Sequence, residues 1–563
     1  MSTNAPGQSR KSKGSNFSPL RHGVFRRMWL ASVFSNLGLF ILGVGAAWDM
    51  TQLSGTPSMV ALVQTATMLP VALFSLASGA IADMFDRRKV ALAALLISIA
   101  GAIVLTVIAW TGHISPASIL VLCFVVGTGT ALLWPAWGAA VGEQVPSDVL
   151  PAAVALNGIS FNAARSFGPA VGGLIVAAAG GVAAFGTTVL FYLPLLIVLY
   201  LWQRKLEPSR LPPESLGRAI ISGVRYVSNA PSIRVVIGRT LIVGLAGGSV
   251  SALLPLVSRD LLTGGAQLFG LLLGAFGIGS ILGAFSFPQL RVRLSGEGSA
   301  RLCSTGMGLA VIAIAESRWP ALTFPALVLF GAAWTACMMT FNVTVQMSAP
   351  RWVAARSLAA YQASVAAGVA LGGWGWGVFA NDWGVDRALL ASAVMLLVTP
   401  VLGRWMRVPT AAEQRAVSGD ELIDPDVRMP LTARSGPIVV EIEYRVDPKR
   451  ARLFYEVMQR VRSSRTRNGA YGWSIARDIE DPELWVERYH CPTWYDYLRQ
   501  RNRPTTTERR LHARALEFHM GAEPVRIHRM LERPVGSVRW KETTPDRAKP
   551  AHDGLLAPTA RDG

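Results

Sequence analysis

Long apolar segments recur through most of this chain, and they limit its fold more than any other feature. A helix needs roughly 20 mostly apolar residues to cross the hydrocarbon core of a bilayer. We count twelve such segments. Their approximate bounds are 28–52, 58–82, 90–111, 115–142, 150–180, 183–203, 233–257, 266–288, 299–316, 320–347, 353–380 and 385–406. The sequence therefore predicts an all-α membrane protein with twelve transmembrane helices in two six-helix halves, followed by a smaller α+β domain.

Composition favours the same prediction. Hydrophobic types make up 51% of the 563 residues and charged types only 16%, against about 25% charged in an average soluble protein. The formal net charge of +19 could suit a nucleic-acid-binding protein. In a membrane protein, Lys and Arg that collect in cytoplasmic connections explain it better. We therefore expect the lipid bilayer as a partner, and no nucleic acid.

Basic residues alternate between the connections. They precede span 1 and follow spans 2, 8, 10 and 12, whereas the connections after spans 1, 3 and 5 carry none. The positive-inside rule then places both termini in the cytoplasm, for a multi-pass protein of the cell inner (plasma) membrane. Two connections deviate. Residues 142–148, after span 4, are acidic, and Arg259, after span 7, lies on the predicted outer side.

A basic, proline-containing linker separates the two sets of six spans. We assign residues 1–24 to a cytoplasmic tail, 25–205 to the first six-helix bundle, 206–232 to the linker and 233–407 to the second bundle. Within the linker, residues 216–227 could form a short amphipathic helix on the inner leaflet. Two halves of this kind place a substrate site near the midplane between them.

The connection after span 2, "GAIADMFDRRK" at residues 79–89, is dense in charge. The positive-inside rule explains Arg87, Arg88 and Lys89. It does not explain Asp83, because a carboxylate near the hydrocarbon edge is costly without a partner. The start of a facing helix, with its partial positive charge, is one suitable partner. The connection could form a gate, or its charges could only fix the orientation of the helices in the membrane.

This stretch resembles the loop 2–3 signature of the major facilitator superfamily, Gly-x-x-x-Asp followed by a basic cluster. Residues 62–92, 132–175 and 350–362 resemble its enterobactin-exporter-like branch, the transmembrane secretion effectors. The resemblance implies a cytoplasmic gate in which the loop aspartate faces the start of span 11, around 351–356. The implied gating residues are Gly79, Asp83, Arg87, Arg88 and Arg356. Asp86 departs from the pattern, since many members carry Gly there.

"SFGPAVGG" at residues 166–173 resembles the span 5 motif of proton-driven exporters. Pro169 removes one backbone hydrogen bond and bends the helix. Gly168, Gly172 and Gly173 let a neighbouring helix approach closely. Generic small-residue packing is the alternative. The resemblance favours export over import.

Polar residues inside spans are the candidates for substrate binding, and each could instead hold helices together. They are Asn157, Asn162, Arg165, Gln64, Asn342, Gln346 and Gln362. Arg165 could face a cavity, or lie near the cytoplasmic end and snorkel. The candidate for proton coupling is Asp49 near the outer end of span 1, which could equally lie at headgroup level beside Trp48. Arg239 in span 7 leaves the same choice open.

Several tryptophans could line a pocket for a flat apolar substrate, or pack and anchor helices instead. They are Trp134, Trp137, Trp334, Trp374 and Trp376.

The composition changes after residue 407. Residues 408–435 form a polar linker, 436–535 a compact domain and 536–563 a disordered tail. The compact domain shows elements in the order βαββαβ, the ferredoxin-like pattern. It resembles the dimeric α/β-barrel group that includes antibiotic-biosynthesis monooxygenases, some of which oxidise polyaromatic substrates without a cofactor. His490, His512, His519 and His528 could serve chemistry, but structural roles are commoner for scattered histidines.

These observations predict a secondary transporter that exports a small organic molecule such as a drug, siderophore or secondary metabolite. The chain has no GxxxxGK[ST] loop for ATP, so we expect proton antiport with alternating access between the halves. The four cysteines lack metal-site spacing, and we expect no metal, no cofactor and no enzyme. The alternative is a fused transporter–enzyme whose last domain modifies the carried compound. A membrane-anchored sensor is a third class. The last domain could also pair two chains into a homodimer.

Overall fold

The computed structural model describes residues 18–146, 149–203, 216–350, 353–409, 425, 427–429, 431–432, 435–502 and 504–532. Eleven helices in these ranges are long and apolar enough to cross a membrane. They are α1 (Gly23–Leu53), α2 (Pro57–Met84), α3 (Arg87–Trp110), α4 (Pro116–Val141), α5 (Leu150–Leu201), α7 (Pro231–Leu256), α8 (Ala266–Arg293), α9 (Gly296–Glu316), α10 (Pro320–Ser348), α11 (Ala354–Trp383) and α12 (Val385–Leu402).

Helix α5 contains two of the predicted spans. It is 52 residues long, about twice what a bilayer needs, and its backbone leaves the helical region at Gly180, with φ +75° and ψ −178°. Glycine reaches this conformation because it has no Cβ. The break coincides with the predicted boundary between spans 5 and 6. The prediction of twelve spans is therefore confirmed.

Small residues set the helix packing in the first half. A Cβ on Gly45 of α1 would lie 2.9 Å from the Ala184 Cβ of α5, and the Gly38 carbonyl accepts a hydrogen bond from the Thr188 hydroxyl at 2.9 Å. Helix α3 approaches α4 in the same way, with Ser98 of α3 directly against Gly129 of α4. Close backbone contact of this kind is typical of helices packed in a membrane.

The second half is built by the same means. Ser249 of α7 and Ser392 of α12 share a buried hydrogen bond of 2.8 Å. Gly244 of α7 packs against Gly368 of α11, where a Cβ would lie 3.2 Å from the Gly368 Cα. Large apolar side chains such as Phe285 lie on the helix surfaces, 75% exposed in that case. In a bilayer these surfaces would face lipid.

The described chain divides into two compact units. The twelve-span unit comprises Met1–Ile220, Val235–Gln346 and Arg356–Ala411, and the tail unit comprises Ile221–Arg234, Met347–Ala355 and Ala412–Gly563. Helix α6 (Leu216–Asn229) matches the amphipathic helix predicted at 216–227 and lies largely in the tail unit. The predicted tail at 536–563 and most of the linker at 408–435 fall outside the described residues.

The tail unit contains a four-stranded antiparallel sheet in the order β2-β3-β1-β4. Its elements are β1 (Ile438–Arg445), α13 (Ala451–Arg467), β2 (Tyr471–Arg477), β3 (Leu484–Cys491), α14 (Trp494–Asn502), α15 (Thr506–Leu516) and β4 (Arg526–Leu531). Asp447 accepts from the Lys449 N–H at 2.8 Å and starts the turn that leads into α13. The predicted ferredoxin-like order is confirmed.

One face of this sheet forms the core of the tail unit. Alternate residues of β1, among them Val440, Ile442 and Tyr444, are buried with Phe454 and Met458 of α13. Val440 is aligned with Tyr489 of β3 and with Arg529 of β4. The period of two along β1 leaves Glu441 and Glu443 on the opposite face.

Helix α6 packs onto this domain. The Arg225 guanidinium donates to the Gly469 carbonyl at 3.2 Å. Tyr226 is buried, and burial raises the pKa of its phenol, which Arg467 lowers and Glu508 raises in turn. The linker between the six-helix halves is thus also a structural part of the tail unit.

Candidate functional site

The two six-helix halves meet along two helix pairs, α5 with α8 and α2 with α11. A Cβ on Gly173 would lie 2.5 Å from the Gly270 Cα, and one on Gly377 would lie 3.0 Å from the Ser58 Cα. Ser166 of α5 donates to the Gly277 carbonyl of α8 at 2.9 Å. These contacts bring the backbones of the two halves together and define the walls of the region between them.

The predicted span 5 motif faces two neighbours. Gly168 and Gly172 pack on α1, where a Cβ on each would lie 2.8 Å from the Phe40 Cβ and 3.1 Å from the Ile41 Cα. Gly173 packs on α8 of the other half, and Pro169 is buried between these contacts. The motif therefore sits where one helix touches both its own half and the other half.

Arg165 lies between the halves, midway along the first span of α5. Its Nη2 donates to the Thr335 hydroxyl of α10 at 3.0 Å, and its guanidinium carbon lies 6.0 Å from the centre of the Phe276 ring of α8. Its Nε is buried and has no hydrogen-bond partner among the described residues. A cation held this way can donate a hydrogen bond to a ligand oxygen, because leaving a buried donor without a partner is costly.

Aromatic groups of both halves lie on the elements that hold Arg165, with Phe161 one turn earlier on α5 and Phe276 of α8 against the guanidinium. In the first half, Phe161 of α5 lies 5.6 Å from Trp134 and 5.7 Å from Phe40. In the second half, Phe330 lies 6.0 Å from Phe276 and 6.1 Å from Trp334. Trp134 and Trp334, two of the predicted pocket residues, belong to these groups. We call Arg165 with these two aromatic groups the interhalf site.

The other predicted tryptophans have partners elsewhere. The Trp137 indole N–H donates to the Asn157 side chain at 2.8 Å, and that of Trp376 donates to the Leu245 carbonyl at 2.8 Å. Both bonds stay within one half. Trp374 is 53% exposed.

Among the described contacts, one pair of the predicted amide residues is in contact, and it lies within a single helix. Asn157 bonds Trp137, and Asn162 donates to the Gly158 carbonyl of its own helix at 2.9 Å. Gln346 donates to Asn342, one turn earlier on α10, at 2.6 Å. Gln64 is partly buried on α2, and Gln362 is exposed on α11.

The arginines of the loop 2–3 signature bind within the first half. Arg87 pairs with Glu143 at 2.8 Å and also donates to the Ala139 carbonyl at 3.2 Å, both at the end of α4. Arg88 donates to the Leu199 carbonyl at 3.0 Å and to the Tyr200 carbonyl, at the end of α5. The acidic connection after span 4, which deviated from the charge rule, thus supplies the partner of Arg87.

The remaining gating residues are only partly described. Gly79 has no atom within 4 Å of a Cβ placed on it, and Arg356 is partly buried on α11. The side chain of Asp83 lies outside the described part of the chain. Asp86 accepts from the Arg88 and Lys89 backbone N–H groups and caps α3. The residue that departs from the family pattern therefore caps a helix.

Asp49 lies at the junction of spans 5 and 6. Its carboxylate occupies the space where a Cβ on Gly181 would stand, directly after the break at Gly180. The side chain is partly buried. The neighbouring Trp48 stacks on Phe269 of α8 at 6.3 Å.

Sequence reasoning missed a buried ion pair in the second half. Arg239 of α7, 1% exposed, binds Glu297 at the start of α9 at 2.5 Å. Glu297 also pairs with Arg301 at 2.9 Å and accepts from the Val408 N–H at 3.0 Å. The pair ties together α7, α9 and the chain segment after α12. Arg239 stood out as a charge inside a span, but Glu297 lies outside the predicted spans, in the connection before span 9.

The tail unit has its own buried charge. Glu487 of β3, 0% exposed, binds Arg465 at 3.1 Å, the Tyr444 hydroxyl at 3.1 Å and the Trp473 indole N–H at 3.0 Å. Burial alone would lower the pKa of Arg465, but the Glu487 carboxylate raises it above its usual value. Burial lowers the pKa of His512 to about 3, and Arg465 adds to this effect. His512 is therefore neutral at physiological pH.

The other three histidines contact neighbouring polar groups. His490 lies 3.8 Å from Glu532 and His528 lies 3.4 Å from Glu443. His519 accepts from the Arg445 N–H at 2.9 Å. In the described part of the chain, no group of three or more His, Cys, Asp or Glu residues could hold a metal ion.

The chain matches the family model described as "Transmembrane secretion effector" over residues 14–535. It is 27% identical over 388 residues to the multidrug efflux pump Tap of Mycobacterium tuberculosis, which covers 66% of this chain and 90% of that protein. It is also 27% identical over 292 residues to the enterobactin exporter EntS of Salmonella choleraesuis, which covers 49% of this chain and 66% of that protein.

Solved transporter structures share the fold. A bacterial homologue of the human lysosomal transporter Spinster aligns with a TM-score of 0.58 and 13% identity, over 71% of this chain and 99% of that one. The nucleoside transporter NupG aligns with a TM-score of 0.55 and 11% identity, over 68% and 98%. This protein therefore belongs to the transmembrane secretion effector family of the major facilitator superfamily, a family of multi-pass membrane transporters.

Proposed function

We propose that this protein exports a small organic molecule across the plasma membrane by proton antiport with alternating access. The observation that carries the proposal is Arg165, a partly buried cation between the halves whose buried Nε has no hydrogen-bond partner in the described part of the chain. Aromatic groups of both halves lie on the elements that hold it. This chemistry suits a substrate with an oxygen acceptor or an anionic group attached to a flat apolar part. Relatives named as a multidrug efflux pump and an enterobactin exporter support the direction of transport.

Transport by the purified protein in proteoliposomes tests the role of Arg165. We expect Arg165→Ala to reduce transport of anionic aromatic compounds at least about tenfold, because a charge-assisted hydrogen bond contributes about 1.5–3 kcal/mol. Arg165→Lys should retain part of it. Thr128→Ala is the matched control, because the Thr128 hydroxyl bonds the Phe124 carbonyl of its own helix and Thr128 belongs to no candidate site. The proposal is wrong if Arg165→Ala transports every compound at the parent rate.

The screen that precedes this assay compares a deletion strain with an overexpressing strain. Tolerance and release of drugs, dyes and siderophores should change in opposite directions in the two strains. A change in tolerance without a change in release would instead support the sensor hypothesis.

We assign proton coupling to Asp49, whose carboxylate lies against Gly181 at the junction of spans 5 and 6. We expect Asp49→Asn to remove the dependence of transport on an imposed pH gradient. Asp382→Asn, at an exposed acid at the end of α11, should leave that dependence unchanged. If Asp49→Asn keeps the gradient dependence, Asp49 has only a packing role against Gly181.

The gate proposed at Asp83 has a matched control within the same loop. Asp83→Asn should reduce transport strongly if the carboxylate bridges to the start of α11. Asp86→Asn should change little, because asparagine caps a helix about as well as aspartate. Equal behaviour of both variants would leave the loop with only a topological role.

For the tail unit we propose a binding or dimerisation module without catalysis. Glu487 lies on the face of the sheet that forms the core of the tail unit. Its carboxylate already accepts hydrogen bonds from Arg465, Tyr444 and Trp473. The opposite face carries complementary pairs such as Arg488 with Glu441 at 3.4 Å, whose side chains are 49% and 28% exposed. Native mass spectrometry of the parent should show a homodimer that Arg488→Glu weakens. A monomeric parent would remove the dimer proposal, and turnover of aromatic compounds by the full chain would restore the enzyme alternative.

A further inference from the structure

Two polar side chains of the second half bind helix ends of the first half, on either side of the connection between α1 and α2. Arg259, just after α7, donates from Nη1 to the Thr51 carbonyl at 2.9 Å. Asn381, near the end of α11, accepts from the Ser58 backbone N–H at 3.0 Å and donates to the Ser58 hydroxyl at 2.9 Å. The two contacts flank residues 54–57.

Both contacts satisfy helix ends that lack partners within their own helix. Thr51 lies in the last turn of α1, and Ser58 is the second residue of α2. The last carbonyls of a helix carry partial negative charge and the first amides partial positive charge. The Arg259 guanidinium therefore complements the Thr51 carbonyl at the end of α1, and the Asn381 amide oxygen complements the Ser58 N–H at the start of α2. Each ligand comes from the other half.

The backbone around Arg259 is adapted to this contact. Residues Val257–Leu261 form a π-helical turn, and Thr263 has φ +50°, a left-handed conformation that is rare for a β-branched residue. Such turns are frequent at functional positions. Asp260 binds the other edge of the guanidinium, at 2.5 Å to Nε and 3.1 Å to Nη2. This leaves Nη1 directed at α1, and it explains why an arginine stands on the predicted outer side.

We propose that Arg259 and Asn381 form a latch that holds the halves together at this end of the bundle and opens once in each transport cycle. The inference rests on the alternating access proposed above, since only halves that separate here need a releasable contact. The chemistry permits release. The Arg259 side chain is 33% exposed and keeps Asp260 when the latch opens, and Asn381 is exposed. Neither group is left buried without a partner.

The test measures how fast a reporter cysteine between the halves reacts with a membrane-impermeant maleimide. Thr65→Cys supplies it, because the Thr65 hydroxyl donates to the Ala370 carbonyl across the halves at 2.8 Å. The four native cysteines are buried. Intact cells and inverted vesicles are labelled in parallel, so that the reactive side is identified.

We expect Arg259→Ala and Asn381→Ala each to raise the labelling rate from the side of residues 54–57. The rise should be about two- to tenfold, the equilibrium change that corresponds to the net contribution of one hydrogen bond. The double variant should exceed either single one. Arg318→Ala is the matched control, because Arg318 donates to the Ala315 and Ser317 carbonyls at the end of its own helix. It should label at the parent rate.

Unchanged labelling in both single variants would overturn the latch. Labelling needs neither substrate nor proton gradient, so it stays informative if export itself fails. A second variant covers poor folding of the first. Ser58→Cys combined with Asn381→Cys, once oxidised to a disulfide, should stop transport until a reductant is added. Full transport by the oxidised protein would show that this contact does not open.

Discussion

The two ends of the helix bundle use arginine in different ways. At the end with the basic connections, Arg87, Arg88 and Arg239 bind partners within their own six-helix half. At the opposite end, Arg259 binds a carbonyl of the other half, and Asn381 of α11 does the equivalent at an amide. The same kind of contact therefore makes each half rigid at one end and joins the halves at the other.

Glycines show the same contrast. Gly79, Gly138 and Gly158 lie toward the basic end, and a Cβ on any of them would meet no atom within 4 Å. Gly173 and Gly377 lie toward the opposite end and touch the other half. The described contacts thus hold the halves together away from the basic connections, as an exporter that takes its substrate from the basic side requires.

The largest expected effect tests whether a basic-end arginine is structural. Glu297→Ala leaves Arg239 buried without its carboxylate, which should lower the free energy of unfolding by about 3–5 kcal/mol. The measurement is denaturant unfolding of the purified protein in detergent. Arg301→Ala is the control. The Arg301 side chain is 48% exposed, and its loss should cost less than about 1 kcal/mol. Similar losses in both variants would contradict the contrast.

A Cβ at the glycine contact between the halves should have the next largest effect. In Gly173→Ala the new methyl group would lie 2.5 Å from the Gly270 Cα and 3.0 Å from the Ala266 carbonyl oxygen. Overpacking of this kind costs about 1–3 kcal/mol. In Gly158→Ala, on the same helix, the new methyl group meets no atom within 4 Å, and the variant should not lower the free energy of unfolding. Thermal unfolding in detergent and transport in proteoliposomes both report the difference. If the two variants unfold at the same temperature, the halves are not tightly joined at Gly173.

A smaller effect is expected at Arg87, whose pair with Glu143 is about a quarter exposed, at 28% and 21%. Arg87→Ala should lower the free energy of unfolding by about 0.2–1 kcal/mol. The difference from the parent should shrink in 1 M salt, where the screening length is about 3 Å. A loss as large as that of Glu297→Ala would show that the pair is far less solvated than its exposure indicates.

The smallest effect on stability is expected at Gly79. Gly79→Ala adds a methyl group to open space inside a helix and should raise the free energy of unfolding by up to about 1 kcal/mol. The same variant tests the gate. If another helix must approach Gly79 when the basic end closes, transport falls although stability does not. Unchanged transport would remove Gly79 from the gate.

Several features could be predicted from the sequence. The twelve spans, the helix at 216–227 and the order of the tail elements follow from local patterns of apolar residues and turns. The break at Gly180 lies where two apolar segments meet. Arg165 stood out as a charge inside a span, because such a charge requires a cavity or a partner.

Other features could not be predicted. Glu143 and Arg259 both seemed to deviate from the charge rule, and their partners explain them. Glu143 meets Arg87, 56 positions away, and Arg259 meets Thr51, 208 positions away. The burial of Glu297 depends on α7 and on the chain after α12, which are distant from it in the sequence. Where the amide candidates lie relative to one another also depends on helix packing.

The sequence by itself determined that this chain crosses a bilayer twelve times and ends in a ferredoxin-like domain. Segment length, apolar content and periodicity are local properties, and they decide whether a segment spans a membrane or alternates as a strand. Only the tertiary structure decided which polar residues meet. Hydrogen bonds and ion pairs act over about 3–4 Å, so their partners depend on how distant helices pack, and span boundaries alone do not specify that packing.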